Sequence, residues 1–336
     1  MALTSIGDLS RNLMLRQGNL ATKSELIART RELTTGILND IPAAMGGDTR
    51  QLGQIESRLA TLRAYGQSAT EFSHRATGMQ HSLEAVQAAA RSLGTRLVQA
   101  GTVPSHESIA ATTAQARQQL ADVVNQINTE GGGRHLFAGT RITHEPLPPA
   151  DTLLATIRTA IGSPAVAGDL IAAVAAFFDA PPGGGGFIDS AYQGATAPLI
   201  TAVAPGQAAS IDANATAPAI RETLKGMALL ALSAEAPWAG DIQAQASILT
   251  AAGETLLNAD AGLSVLRGDI GATEAAIARA QTRNAAETAA LSLARNDLVL
   301  ADRYEAASAV AEAEARMEAI YSLTARLSRL SLAAYL

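Results

Sequence analysis

Apolar residues recur at helical spacing along both ends of this chain, and the middle breaks that rhythm. Ile6, Leu13, Leu20 and Ile27 fall seven apart, with Leu9, Leu26, Leu33 and Ile37 beside them. This predicts a helix from about Thr4 to Leu38, interrupted near Gly18. Its stripe is narrow and the helix is long, so alone it is marginal in water. Gly36, Pro42, Gly46 and Gly47 break it. Asp48 then caps a second helix, with Gln51 placed to reach back. Its apolar positions are Leu52, Ile55, Leu59, Leu62, Tyr65, Ala69, Phe72, Ala76, Met79, Leu83, Val86, Ala90, Leu93 and Leu97. They alternate spacings of three and four, with one skip around Leu62: a coiled-coil seam with a single stammer, on the order of 75 Å long.

Gly101 and Pro104 end that helix, and Ser105 caps another carrying Ile109, Leu120, Val123, Val124 and Ile127. It runs to Gly131-Gly132-Gly133, where the absence of Cβ atoms stops it. Leu136-Phe137-Ala138 follows as a short apolar plug and Gly139 as a second turn. The stretch from about His144 to Ala239 is irregular. It reads as short helices over 151–161 and 169–178, a Pro181–Gly186 linker, strands over 187–192, 199–204 and 208–212, and a helix over 218–232. From Asp241 the helical pattern returns with Ile242, Ile248, Leu249 and Leu256, then Leu266, Ile270, Ile277, Ala280, Leu291, Ala294 and Leu298. Val310, Met317, Ile320, Leu327 and Leu330 form a last stripe.

The expected fold is therefore mainly α: an elongated antiparallel helical bundle or coiled coil made by the two halves, with a small inserted α/β or β domain. The divisions are an N-terminal helix at 1–47, helical body at 48–140 and 241–300, an inserted outer domain at 141–240, and a C-terminal helix at 301–336. With long flanking seams, the body is expected to fold without residues 144–239. One helix pair buries only one side of each terminal stripe, while ordering a residue costs about 1–2 kcal/mol. The ends are thus expected to order fully only when neighbouring copies cover them.

Composition narrows the chemistry. The chain of 336 residues has a net charge of -6 and few aromatics, which argues against a nucleic-acid partner. It contains no cysteine, so disulfides, thiolate nucleophiles and Cys-ligated metals are excluded. No apolar run approaches the ~18 residues of a membrane span, and Met1 to Arg16 has no apolar core of a signal peptide. Gly183–Gly186 lacks the Gly-Lys-Ser/Thr of a phosphate loop and reads as a flexible loop. His74 and His81 lie seven apart without a third ligand, and Gly131–Gly133 before Arg134, which could bind an anion, reads instead as a helix stop. Glu312, Glu314 and Glu318 form a solvated face. No catalytic constellation, cofactor site or metal site is expected, and the chain is not read as an enzyme.

Several stretches resemble a known family. Thr35-Gly36 sits where the flagellin superfamily has a Thr-Gly turn after its first helix. Leu136-Phe137-Ala138-Gly139-Thr140 is similar to the signature at which its hook–filament junction members leave their helical domain. Tyr192-Gln193-Gly194 resembles the Tyr-x-Gly turn of their inserted domain, and Glu318-Ala319-Ile320-Tyr321 with the terminal Tyr335-Leu336 resembles the closing helix. The chain departs from the family at Asn39-Asp40, in place of an Asp-Asp pair, and at Ala195, in place of an acid.

The resemblance implies a structural axial protein of the bacterial flagellum, an adaptor at the hook–filament junction, secreted by type III export without signal cleavage. It implies other copies of the chain, a neighbouring hook-associated protein, flagellin and an export chaperone as partners, with no cofactor, nucleic acid or membrane. Ile6, Leu9, Leu13, Leu20, Ile27, Val310, Met317, Ile320, Leu327 and Leu330 are the expected subunit-interface residues. Two alternatives stand beside this reading: a filament flagellin subunit, and a helical extracytoplasmic ligand-binding or sensor bundle.

Overall fold

Caps and breaks set the boundaries of the elements in the computed structural model, which describes residues 6–235 and 237–333. In order they are α1 (Ile6–Thr35), α2 (Ile41–Ala44), α3 (Arg50–Thr102), α4 (His106–Thr113), α5 (Ala116–Ile127), α6 (Ala150–Ile161), α7 (Ala167–Asp179), α8 (Phe187–Ser190), β1 (Leu199–Ala204), β2 (Gln207–Ile211), α9 (Pro218–Ser233), α10 (Ile242–Val299) and α11 (Arg303–Ala333). The fold is mainly α with one small antiparallel hairpin. Gly18 does not interrupt α1, because a single glycine inside a helix costs only about 1 kcal/mol. The carboxylate of Asp48 is engaged by Arg50, through its N–H at 3.1 Å and its Nε at 2.9 Å, rather than by Gln51. Ser105 and Ser108 close a capping box on α4, and Asp241 Oδ1 accepts from the N–H groups of Gln243 and Ala244, both at 3.0 Å.

The chain divides into two compact units, Arg63–Asn284 and Met1–Leu62 with Ala285–Leu336. In the first, residues 63–102 of α3 run antiparallel to residues 242–284 of α10. Arg91 meets Asp260 at 3.0 Å, Gln80 Nε2 donates to Arg267 O at 2.7 Å and Thr77 meets Glu274 at 3.1 Å. The two backbones touch where side chains vanish. A Cβ on Gly253 would stand 2.9 Å from Gly94 O, and one on Gly101 would stand 2.1 Å from Thr250 Oγ1.

Against this pair lies α9, whose buried positions run from Ala219 through Ser233 and include all of Leu224–Ser233. A helix apolar over most of its circumference belongs in a core. A Cβ on Gly226 would collide with Leu256 of α10 at 2.7 Å. Lys225, buried on α9, has its ammonium 2.7 Å from Glu222 and 3.0 Å from Asp179. Phe178 of α7 stacks on Phe187 of α8 at 5.2 Å and meets Phe177 edge-on at 5.3 Å.

Two readings of the middle segment change. The expected strand at 187–192 begins as the helix α8, because Phe187 is needed against Phe178 and not on a sheet face. The Pro181–Gly186 run is not a loose linker: Asp189 accepts from Gly183 N–H at 2.9 Å and Gly185 N–H at 2.8 Å, and those bonds hold its carboxyl below the usual carboxylate range. The strands at 199–204 and 207–211 form an antiparallel hairpin with a bulge between Ala202 and Ala204. Asn284 Nδ2 donates to Val203 O at 2.7 Å and fastens the hairpin to α10.

Residues 141–240 therefore share one apolar core with the helices before and after them, from Met79 and Leu83 through Leu120 to Leu224, Leu230 and Leu256. Detachability does not fit this arrangement. Each large side chain of α9 contributes roughly 1.5–3 kcal/mol by burial. Replacing 144–239 by a short Gly-Ser linker is expected to lower the urea midpoint and broaden the helical melt followed by circular dichroism. A melt as cooperative as the parent's would refute the shared core.

Candidate assembly surface

In the unit formed by the chain ends, α1 and α11 pair as antiparallel helices, joined by Arg316 and Glu25 at 3.1 Å. The ends are thus paired helices in the single chain, ahead of any neighbouring copy. Their breaks are matched. Leu38 N–H donates to Val299 O and Ala301 N–H to Gly36 O, both at 3.0 Å, and Ile37 bridges Leu300. Gly36 adopts φ 71, a left-handed turn suited to glycine. Thr35 Oγ1 donates to Arg31 O at 2.7 Å and accepts from Ile37 N–H at 3.3 Å. Buried Glu32 accepts from Asn39 N–H at 2.9 Å and pairs with Arg29 at 2.8 Å. Burial alone would raise its pKa, but these partners together bring it below the ordinary value.

The pair covers one side of each helix. Thr22 is buried, with Leu15, Leu26 and Leu33 half-buried; on α11, Ala306 and Ala313 are buried and Val310, Met317 and Ile320 half-buried. Leu13, Leu20 and Ile27 remain 58%, 68% and 55% exposed. The seven-residue stripe is thus the uncovered one, and the helix uses a different stripe for its intrachain partner. Ile6 and Leu9 lie on α1, and Leu327 and Leu330 on α11, but their side chains fall outside the described residues. Tyr335 and Leu336 also fall outside them. Met14, Tyr304, Tyr321 and Leu323 add exposed apolar area that the spacing argument left out.

The other motif residues meet at one place. Leu136, Phe137, Ala138 and Gly139 are buried, and Thr140 is exposed beside them. Ala138 O accepts from Ala195 N–H at 2.9 Å, and Phe137 O accepts from Ala215 N–H at 2.9 Å. The Tyr192 hydroxyl donates to Ala195 O at 2.8 Å. Both turn glycines are forced by proximity. A Cβ on Gly139, at φ 60, would stand 1.9 Å from Ala195 O, and one on Gly194 would stand 2.7 Å from Ala138 O. Two segments more than fifty residues apart in sequence are locked backbone to backbone. Burial pushes the Tyr192 hydroxyl pKa well above its ordinary value.

No family model and no curated protein matches this chain. Among solved structures it is similar to a Vibrio parahaemolyticus protein described as a flagellar hook-associated protein, at 10% identity and a TM-score of 0.41, over 73% of this chain and 96% of that one. A likeness at that level carries no weight for function.

Among the described residues, no group of three or more His, Asp or Glu side chains is placed to hold a metal, and no helix is long and apolar enough to cross a membrane.

The lock at Tyr192 has a pH signature. Its pKa is raised by folding, so above about pH 10 the unfolded chain loses this proton while the folded chain keeps it. The stabilisation is complete below that pH and declines above it. Tyr192→Phe is expected to cost about 1 kcal/mol at neutral pH and to show a shallower alkaline loss in urea titrations. An unchanged alkaline slope would show that the hydroxyl is not the group responsible.

Proposed function

We propose that this chain is a structural axial subunit of the bacterial flagellum, an adaptor at the hook–filament junction that assembles through its paired terminal helices after type III export. The observation that carries the reading is the exposed stripe Leu13, Leu20 and Ile27 on a helix whose opposite side is already covered by α11. Large apolar side chains at seven-residue spacing, held outward on a paired helix, suit contact with another helix of the same kind. Its occupant in this reading is a second copy of the chain, and the half-buried Val310, Met317 and Ile320 of α11 are proposed to add to that contact. The interlock of Leu136–Thr140 with Tyr192–Gly194 supports the same assignment, because these stretches carry the resemblance to junction proteins. A neighbouring hook-associated protein, flagellin and an export chaperone complete the proposed partners. The role is mechanical, with no chemistry assigned to any side chain.

Burying a leucine or isoleucine at a subunit contact contributes roughly 1.5–3 kcal/mol, whereas on the free chain these positions are exposed. Leu20→Asp combined with Ile27→Asp is expected to leave the monomer's melting temperature within about 2 °C of the parent's. The same pair should abolish incorporation at the junction, so that cells shed filament protein and lose swimming. Normal swimming and intact filaments in this double variant would overturn the assembly role of the stripe.

A further inference from the structure

The glycine triplet builds more than a helix stop. Gly131 N–H donates to Arg134 O at 2.9 Å, Arg134 N–H donates back to Gly131 O at 3.3 Å, and Glu130 bridges His135 across the turn. Gly132 and Gly133, at φ 61 and 73, are the two left-handed central residues of a tight hairpin. The hairpin is anchored by His135, whose Nδ1 lies 2.9 Å from Asn128 O and whose Nε2 lies 3.1 Å from Glu130. It carries Arg134 to a cleft of about 510 Å³ shared with Glu71, His74 and Arg75 of α3.

This cleft brings two guanidiniums together with one carboxylate, that of Glu71, in its lining. Among the described residues neither the Arg75 nor the Arg134 guanidinium has a hydrogen-bonding or ion-pair partner, although Arg75 is half-buried. Arg117 and Arg158 of the same unit, by contrast, converge on Glu235. Gly132 and Gly133 N–H groups have no acceptor among the described residues either. Glu71 is the one carboxylate lining the cleft, and it makes no ion pair with either arginine. The Glu130 carboxylate is held by His135. Burial, and then the charge of Arg134, hold the Arg75 pKa below its usual value, and the charge of Glu71 offsets them only in part. A guanidinium presents a planar fork of donors that matches an oxyanion, and two such forks match a doubly charged one.

We infer that the cleft between Arg75 and Arg134, beside the Gly131–Gly133 turn, binds a small oxyanion of the phosphate or sulfate class. The two guanidiniums are its principal ligands, His74 and the Gly132 N–H complete its lining, and Glu71 opposes it. With a net charge of -6 on the chain, a long polyanion is the wrong occupant.

Isothermal titration of the full chain in a low-salt, phosphate-free buffer tests this with inorganic phosphate, sulfate and acetate. Saturable one-to-one binding of phosphate and sulfate, at least tenfold tighter than acetate, is expected. Arg75→Gln and Arg134→Gln should each weaken phosphate by about tenfold or more, whereas Glu71→Gln should tighten it. Arg134 is exposed, so the circular dichroism of its variant should match the parent's and separate lost binding from lost folding. Absence of saturable phosphate binding, or a folded Arg134→Gln with parental affinity, would overturn the site. Acetate binding as tightly as phosphate would overturn the assignment to a doubly charged oxyanion.

Discussion

Close approach of two backbones governs the larger unit. Residues 63–102 and 242–284 come together where Gly94, Gly101 and Gly253 leave no side chain between them. Such a contact gains dispersion and excludes water, but its small side chains bury little apolar area per residue. A pair of this kind cannot supply a sufficient core by itself. The chain solves this by leaving the helical body and returning with bulk. Three of its five phenylalanines, Phe177, Phe178 and Phe187, lie in the excursion, Phe137 stands just before it, and α9 brings an almost wholly buried helix against the pair. The scarcity of aromatics along the long helices and their concentration in the middle are two sides of one packing problem.

Attachment of the excursion rests on backbone contacts. Between Ala138 and Ala195 the chain pairs N–H with C=O at 2.9 Å, at a separation that only glycine tolerates at positions 139 and 194. Because the lock is made by main-chain atoms, it constrains few side-chain identities, and those it does constrain are Gly139, Gly194 and Tyr192. Two short motifs far apart in the sequence therefore describe a single structural joint.

Much of this was legible in advance, and for physical reasons. The seam from Leu52 to Leu97 is buried at every position except Tyr65, which is half-buried beside the spacing skip at Leu62. The two units part at that point, between Leu62 and Arg63. A period of 3.5 residues states which side of a helix is apolar, and burial followed it. Spacing does not state what covers an apolar side. It could not separate the Leu26 and Leu33 stripe, turned toward α11, from the Leu20 and Ile27 stripe, turned away. Short apolar runs were ambiguous in kind as well as partner: Phe187-Ile188 suits a strand or a helix, and its contact with Phe178 decides for the helix. The Asp189 tie and the convergence of Arg75 with Arg134 depend on residues brought together by the fold, and no local pattern announces them.

The matched breaks at Gly36–Leu38 and Val299–Ala301 act as an index mark for the terminal helices. Main-chain bonds at 3.0 Å fix the longitudinal register of α1 on α11, since slippage by one turn, about 5.4 Å, would separate both donors from their acceptors. Every position toward the amino terminus is then counted from that mark, and each residue added or removed rotates the preceding helix by about 100°. Loss of one residue between Ile27 and Gly36 would carry Leu13, Leu20 and Ile27 together off their bearing without disturbing their mutual spacing. Length in this stretch is therefore quantised. Changes of seven residues keep the bearing, single residues destroy it, and the phase of the stripe is inherited from the turn.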